Sequence, residues 1–323
     1  MVKRKNRCKL ETPRKQYSPN QCGLFAIRGR QQLLDRLRWK GTFDELRLLA
    51  RNTENYQCWT DEGRAIQAPT EDLKHIHTRI ATLLRRILPP TYRQSGVRGR
   101  SFLTNAQAHA SPSPSVRLDI RRFYPSTTFQ NVFRFFTEDM RCARDIAHLL
   151  ADLCCFRRRH LPTGGRHSEV LAFFCHKKIF DALQERATAR GGLMTIYVDD
   201  IVLTMPDASL TDLEWCRRLF KRHGLEIHPG KSRVFGTNEP KTVTGVTIDR
   251  GTLRATRRQH RMVRKRSMEL KVETDTVKAA IIARRLIGHL DHIAQIEPGI
   301  KSKAVGNRNR LMPILHPPTS GAN

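Results

Sequence analysis

The chain has 323 residues, with 59 Lys and Arg against 30 Asp and Glu and a formal net charge of +29 at pH 7. That length suits roughly two domains, or one large one with sub-domains, and a 39% hydrophobic content supplies a sizeable core. Self-repulsion on this scale is tolerated mainly where a polyanion neutralises it. The positive charge is spread from "MVKRKNRCKLETPRK" through "YRQSGVRGR" to "RATRRQHRMVRKR", which argues for a long nucleic-acid track rather than a single basic tail.

Other classes are disfavoured. No uninterrupted apolar run approaches the ~20 residues of a membrane helix, and the basic N-terminus lacks the apolar region of a signal peptide. The eight cysteines, Cys8, Cys22, Cys58, Cys142, Cys154, Cys155, Cys175 and Cys216, include no CxxC pair. Cys154, Cys155, His160 and His167 are close in sequence, but adjacent cysteines are poorly spaced for zinc. They read as core thiols, and a reducing cytoplasm fits.

Residues 1–23 form a basic, polar N-terminal segment. From Gly23 to Arg51 the apolar spacing predicts helix, broken at Gly41. "GRAIQAPT" reads as a strand end and a turn. "EDLKHIHTRIATLLRRIL" is helical and stops at Pro89-Pro90. "YRQSGVRGRSFLTNAQAHASPSPS" reads as irregular and too long for a passive connection. In "SVRLDIRRFYPS", Val116, Leu118 and Ile120 alternate with Arg117, Asp119 and Arg121, a strand with Asp119 off the core face. "TFQNVFRFFTEDM" is a helix. "LPTGGRHSEVLAFFCHKKIFDALQERA" is a Gly turn leading into a helix, with Ser168 as its N-cap. "MTIYVDDIVLT" reads as a hairpin, Leu193–Val198 and Ile201–Met205, with Asp199-Asp200 at the tight turn. A helix ended by Gly224, short strands over "EIHPGKSRVFG" and "KTVTGVTIDRGTLR", and a mostly helical C-terminal region complete the chain.

Asp-Gly would turn more easily than Asp-Asp, so the paired charge calls for a reason. If the Asp119 strand neighbours the hairpin, Asp119, Asp199 and Asp200 converge. Clustered carboxylates repel unless cations lie between them. Mg²⁺ is the hard ion that keeps waters and substrate phosphates in its shell. Two such ions about 3.5–4 Å apart stabilise both oxygens of a phosphoryl transfer.

The order "LDIRRFYPS", "LPTG", "YVDD", "HPGK", "VTG" resembles the reverse transcriptases over roughly residues 60–300. "NAQAH", Asn105 to His109, and Val243-Thr244-Gly245 resemble two signatures of the bacterial retron branch and related phage-defence enzymes. The resemblance implies an α+β right-hand polymerase, with fingers at 24–115, a palm with an antiparallel sheet at 116–238 and a helical thumb at 239–323. It implies an RNA-directed DNA polymerase that uses two Mg²⁺ ions, or Mn²⁺ in their place, and dNTPs to copy a structured non-coding RNA into an RNA–DNA duplex.

By resemblance, Asp119 and Asp199 are the principal metal ligands, Asp200 is a weaker one or supports the metal from outside its shell, and Ile120 completes the metal set. Lys231 is placed to protonate departing pyrophosphate. Arg64 and Lys74 are basic finger positions, Arg64 the better candidate for the triphosphate. Tyr124 lies under the sugar, and Thr163 and Gly164 contact nucleotide or template. Asn105, His109, Val243, Thr244 and Gly245 are implied to hold RNA, and the thumb run with Arg257, Arg258 and Arg261 to grip the duplex.

Three positions depart from the retron pattern: Thr163 replaces Gln, Glu169 follows Ser168, and Val198 precedes the Asp pair. Two rivals stay open, an untemplated or protein-primed DNA polymerase of a defence system and an RNA-binding scaffold with a polymerase fold. An effector partner and the oligomeric state are left open as well.

Overall fold

The computed structural model describes residues 16–61 and 63–315. Most of the expected basic N-terminal segment, residues 1–15 with Cys8, lies outside the described residues.

The N-terminal third builds on two short helices, α1 (Arg30–Leu37) and α2 (Phe43–Arg51). Thr42 caps α2 by accepting the Glu45 amide, and Glu45 reaches back to the Thr42 amide, so Gly41 lies between helices as expected. Residues 24–29 are turns rather than helix, because α1 begins only after Gly29. A hairpin follows, β1 (Tyr56–Asp61) and β2 (Arg64–Pro69), paired from Tyr56↔Pro69 to Asp61↔Arg64. β1 has no sequence signal because almost all of it is exposed, so no alternation is selected. Helix α3 (Glu71–Leu84) buries Leu73, Ile76, Ile80 and Leu84. The stretch expected to be irregular contains one helix, α4 (Phe102–Ala108), capped by Ser101 on the Thr104 amide. Two turns of helix are too short for periodicity to reveal.

The central sheet is laid down by β3 (Ser115–Asp119), then helices α5 (Phe123–Ser126), α6 (Phe129–Arg134), α7 (Arg144–Cys154), α8 (Ser168–Cys175) and α9 (Lys177–Ala189), then β4 (Leu193–Tyr197) and β5 (Asp200–Thr204). Helix α10 (Leu210–Arg222) and β6 (Arg233–Phe235) close it. The order is β4-β5-β3-β6, antiparallel throughout. Val116, Leu118 and Ile120 are buried in the main core with Phe136, Leu150, Phe180 and Phe220. Ser168 is not the N-cap of α8. His167 holds that position, and the Ser168 hydroxyl donates to the Pro162 carbonyl at 2.7 Å.

A second antiparallel sheet, β7 (Lys241–Val243), β8 (Val246–Asp249) and β9 (Thr252–Ala255), leads into three helices, α11 (Arg257–Val272), α12 (Thr276–Ile296) and α13 (Lys301–Leu315). A smaller core of Ala106, Val202, Val243, Val246 and Ile293 joins α4, β5, this sheet and α12. Among the described residues no cysteine is in a disulfide, and no helix is long and apolar enough to cross a membrane.

Candidate active site

The hairpin turn is one residue earlier than the sequence suggests. Tyr197 pairs with Asp200, so Val198 and Asp199 form the turn and Asp200 is the first residue of β5. Val198 has φ +61°, a left-handed conformation that a β-branched residue adopts only at a cost. The two adjacent carboxylates therefore belong to different environments, one on a turn and one on a ladder.

Asp119 ends β3 beside that turn. Its carbonyl accepts the His228 amide at 2.7 Å and its own amide donates to Ser232 Oγ at 3.0 Å. The next residue, Ile120, donates its amide to the Asp199 carbonyl at 3.0 Å. Asp119, Ile120 and Asp199 thus line one cavity of about 690 Å³, together with Arg64, Tyr124, Thr163 and Lys231. Lys231 Nζ lies 3.2 and 3.3 Å from the two Asp119 oxygens. Burial, followed by the like charge of Asp119, pushes the Asp199 carboxyl above its ordinary value.

These residues fit a divalent ion. Two neighbouring carboxylates in one cavity are the donors a hard cation relieves, and Ile120 can add its main-chain carbonyl. Among the described residues no group of three His, Cys, Asp or Glu side chains is gathered for a metal. The remaining coordination would come from water and phosphate oxygens, the habit of Mg²⁺.

The opposite wall comes from the β1–β2 hairpin. Arg64 opens β2 and is exposed at the cavity mouth. The Thr163 amide donates to Gln67 Oε1 at 3.1 Å and the Gly164 amide to the Gln67 carbonyl at 3.0 Å. A Cβ on Gly164 would lie 2.7 Å from that carbonyl oxygen, so only glycine lets the two backbones meet. Gly164 lies behind the cavity, as a spacer rather than a lining residue. Tyr124, on α5, is raised above the usual phenol range first by burial and then by Glu169 and Asp199. Lys74 is elsewhere: its ammonium pairs with Glu71 at 2.5 Å one turn back on α3, so it does not join Arg64. The sequence assigns Gln67, His228 and Ser232 no role, although His228 opens the "HPGK" motif, because each acts through partners distant in the chain.

Residues 53–248 match the family described as reverse transcriptase (RNA-dependent DNA polymerase). The chain belongs to that family. It is 25% identical over 232 residues to the retron Ec86 reverse transcriptase of Escherichia coli, covering 68% of this chain and 72% of that protein. It is 26% identical over 211 residues to the retron Se72 reverse transcriptase of Salmonella heidelberg, covering 62% and 55%. It is 30% identical over 208 residues to the retron Mx65 reverse transcriptase of Myxococcus xanthus, covering 58% and 48%. The chain thus spans about half the length of the latter two. The family's activity is RNA-directed DNA polymerisation, and its members work with divalent metal ions.

Several residues of this reverse transcriptase lie where the resemblance did not place them. Asp200 stands opposite Asp119 in the β3–β5 ladder, but its carboxylate is occupied. Arg117 Nε and Nη2 donate to its two oxygens at 2.8 and 3.2 Å, and the Thr244 amide donates to Oδ2 at 3.2 Å. Three donors occupy most of its lone pairs, so Asp119 and Asp199 are the two carboxylates left open to the cavity and Asp200 stands behind them. Asn105 and His109 are 1% and 0% exposed and offer RNA no surface. His109 bridges β4 and β5 through Thr195 Oγ1 and Thr204 Oγ1, both at 2.7 Å. Asn105 Nδ2 reaches Thr244 Oγ1 at 3.5 Å, and that hydroxyl donates to the Phe102 carbonyl at 2.8 Å. Val243 is core, and Thr244 and Gly245, at φ +45° and +78°, make the β7–β8 turn. Thr244, backed by Asn105, therefore holds Asp200 from inside, while His109 ties β4 to β5. Arg257, Arg258 and Arg261 are exposed on α11. Arg258 lines a basic hollow of about 720 Å³ with Gly245, Arg266, Arg285 and His289.

Proposed function

We propose that this reverse transcriptase is of the retron type and makes DNA from a dedicated non-coding RNA, with two Mg²⁺ ions and dNTPs. The observation that carries this reading is the shared cavity of Asp119, Asp199, Arg64, Tyr124 and Lys231, combined with the likeness to three retron enzymes. The division into fingers over 24–115, palm over 116–238 and thumb over 239–323 is supported by the β1–β2 hairpin that lines the cavity beside the central sheet and by a smaller core that joins α12 to β5.

Asp119, Asp199 and the Ile120 carbonyl would hold the metals. When bound, such ions lower the pKa of an attacking hydroxyl and offset charge on the leaving oxygens. Arg64 grips the triphosphate, since a guanidinium fork matches phosphate oxygens. Tyr124 lies under the sugar, where a ring crowds a 2′-hydroxyl. Lys231, already against Asp119, is within reach to give a proton to departing pyrophosphate. The Arg residues of α11 hold the duplex backbone, so affinity falls steeply with salt.

The test is to purify the protein with its bound nucleic acid, supply labelled dNTPs and Mg²⁺, and sequence RNA and product. Asp119→Asn with Asp199→Asn is the control. Products complementary to one co-purified RNA and absent from the control support the reading. Products without a matching template move the enzyme to untemplated or protein-primed synthesis. Bound RNA with no product supports a scaffold.

A further inference from the structure

The first residue of the Val198–Asp199 turn holds an unfavourable backbone angle and presents its amide away from the β4–β5 ladder. A half-buried amide in that position needs a partner. It has one: the Val198 amide donates to Ser95 Oγ at 3.2 Å. The Ser95 hydroxyl donates in turn to Glu169 Oε1 at 2.8 Å. A carboxylate only accepts, so Glu169 fixes the direction of the Ser95 proton and leaves a lone pair facing Val198.

Glu169 is itself held. Arg93 Nη2 donates to the same oxygen at 2.9 Å, and Arg93, 2% exposed, lies over the Phe173 ring at 4.5 Å. The other carboxylate oxygen is buried without a hydrogen-bond partner, with Arg85 Nη2 at 3.8 Å. The segment that carries Arg93 and Ser95 also adds to the open edge of β4. The Ile196 amide donates to the Tyr92 carbonyl at 2.9 Å, and the Gln94 amide to the Ile196 carbonyl at 2.8 Å. The brace is therefore anchored at three points, and its free end is the residue that precedes Asp199.

We propose that Ser95, oriented by the Glu169–Arg93 pair, is a positioning residue that holds the Val198–Asp199 turn in its strained form and thereby sets Asp199 against Asp119. Glu169 and Val198 are two of the positions at which this chain departs from the retron pattern, and the structure couples them through one hydroxyl. The proposal rests on the catalytic reading of Asp199 only for its consequence in turnover; the hold on the turn is a statement about the backbone.

The test uses the full chain with Ser95→Ala, Glu169→Gln and the double variant. Hydrogen exchange by mass spectrometry compares the segment 193–205 with α3 and α9. Turnover is measured on poly(rA)·oligo(dT) with dTTP. Ser95→Ala should speed exchange in 193–205 alone, lower kcat about tenfold, which corresponds to about 1.4 kcal/mol, and leave the dTTP KM near wild type. Glu169→Gln should give a smaller effect of the same kind, because an amide oxygen can still accept. The double variant should be no worse than Ser95→Ala, since one chain of contacts carries both.

Unchanged exchange in 193–205, exchange that rises evenly across the protein with a lowered Tm, or effects that multiply in the double variant would each overturn the proposal. If wild-type protein shows no turnover on this primer–template, the exchange arm still decides the positioning role, and the catalytic reading is the part that fails.

Discussion

Replacing His109 by Leu separates an internal brace from an RNA contact. The imidazole is fully buried and joins Thr195 and Thr204 through two 2.7 Å hydrogen bonds. Thr204 keeps a second partner, Ser115 Oγ at 2.8 Å, whereas Thr195 has no other side-chain hydrogen bond recorded among the described residues. Leaving one buried hydroxyl unsatisfied and weakening a second costs about 2–4 kcal/mol, with little cavity term because Leu fills most of the volume. Burial holds the His109 pKa at about 3, with Lys241 adding to the effect, so the ring is neutral at pH 7.5. The unfolded chain takes up a proton near pH 6.5, so wild-type stability falls as pH drops below that value towards the folded pKa. At pH 5 the loss from this one group is about 2 kcal/mol, and the variant escapes it. Urea unfolding followed by circular dichroism should show the variant weaker at pH 7.5 and the gap narrowed by roughly that 2 kcal/mol at pH 5. RNA affinity by filter binding, at a temperature where both are folded, should differ less than twofold. A tenfold loss of RNA affinity with an unchanged urea midpoint would refute the reasoning and return His109 to the RNA surface.

Arg117→Leu strands the Asp200 carboxylate, whose side chain is 13% exposed, and should cost about 1.5–3 kcal/mol by thermal melting; adding Asp200→Asn should restore part of it, and no restoration would mean that the pair is not the unit. Lys231→Gln removes an ammonium that is about half exposed, so stability should move by less than ~0.5 kcal/mol while single-turnover rates fall by about 10²-fold or more; a rate near wild type would exclude proton donation. Gly164→Ala forces a Cβ against the Gln67 carbonyl and should cost about 1–3 kcal/mol and raise the dNTP KM; an unaltered KM would show that the β2 contact does not shape the nucleotide site.

Much of this molecule was legible in residue order. Period-two alternation located β3, because a strand with one face in the core must alternate, and two short apolar runs rich in β-branched residues located the β4–β5 hairpin. The helix stop at Gly224, with φ +74°, follows from the one residue that takes that angle without a Cβ clash. Asp119, Asp199, Tyr124, Thr163 and Lys231, which line one cavity, are carried by motifs that stand in a fixed order, and Arg64 follows from the resemblance as a basic finger position.

What residue order could not supply was the partner of each polar group. Asp-Asp looked like the turn, but pairing of Tyr197 with Asp200 shifted it by one residue and split the two carboxylates between a cavity and an arginine fork. A single step of register changes the surroundings of every side chain on a strand, and register is set by contacts made elsewhere. His109 meets threonines 86 and 95 residues away, and Asn105 meets Thr244 across 139 residues. Local pattern marked the longer helices and the buried strands, but not exposed β1 or short α4, because backbone sterics and burial act within a few residues. Only the tertiary structure decided which charges face the cavity and which are locked in the scaffold, because desolvation and hydrogen-bond pairing depend on groups that the chain brings together from far apart.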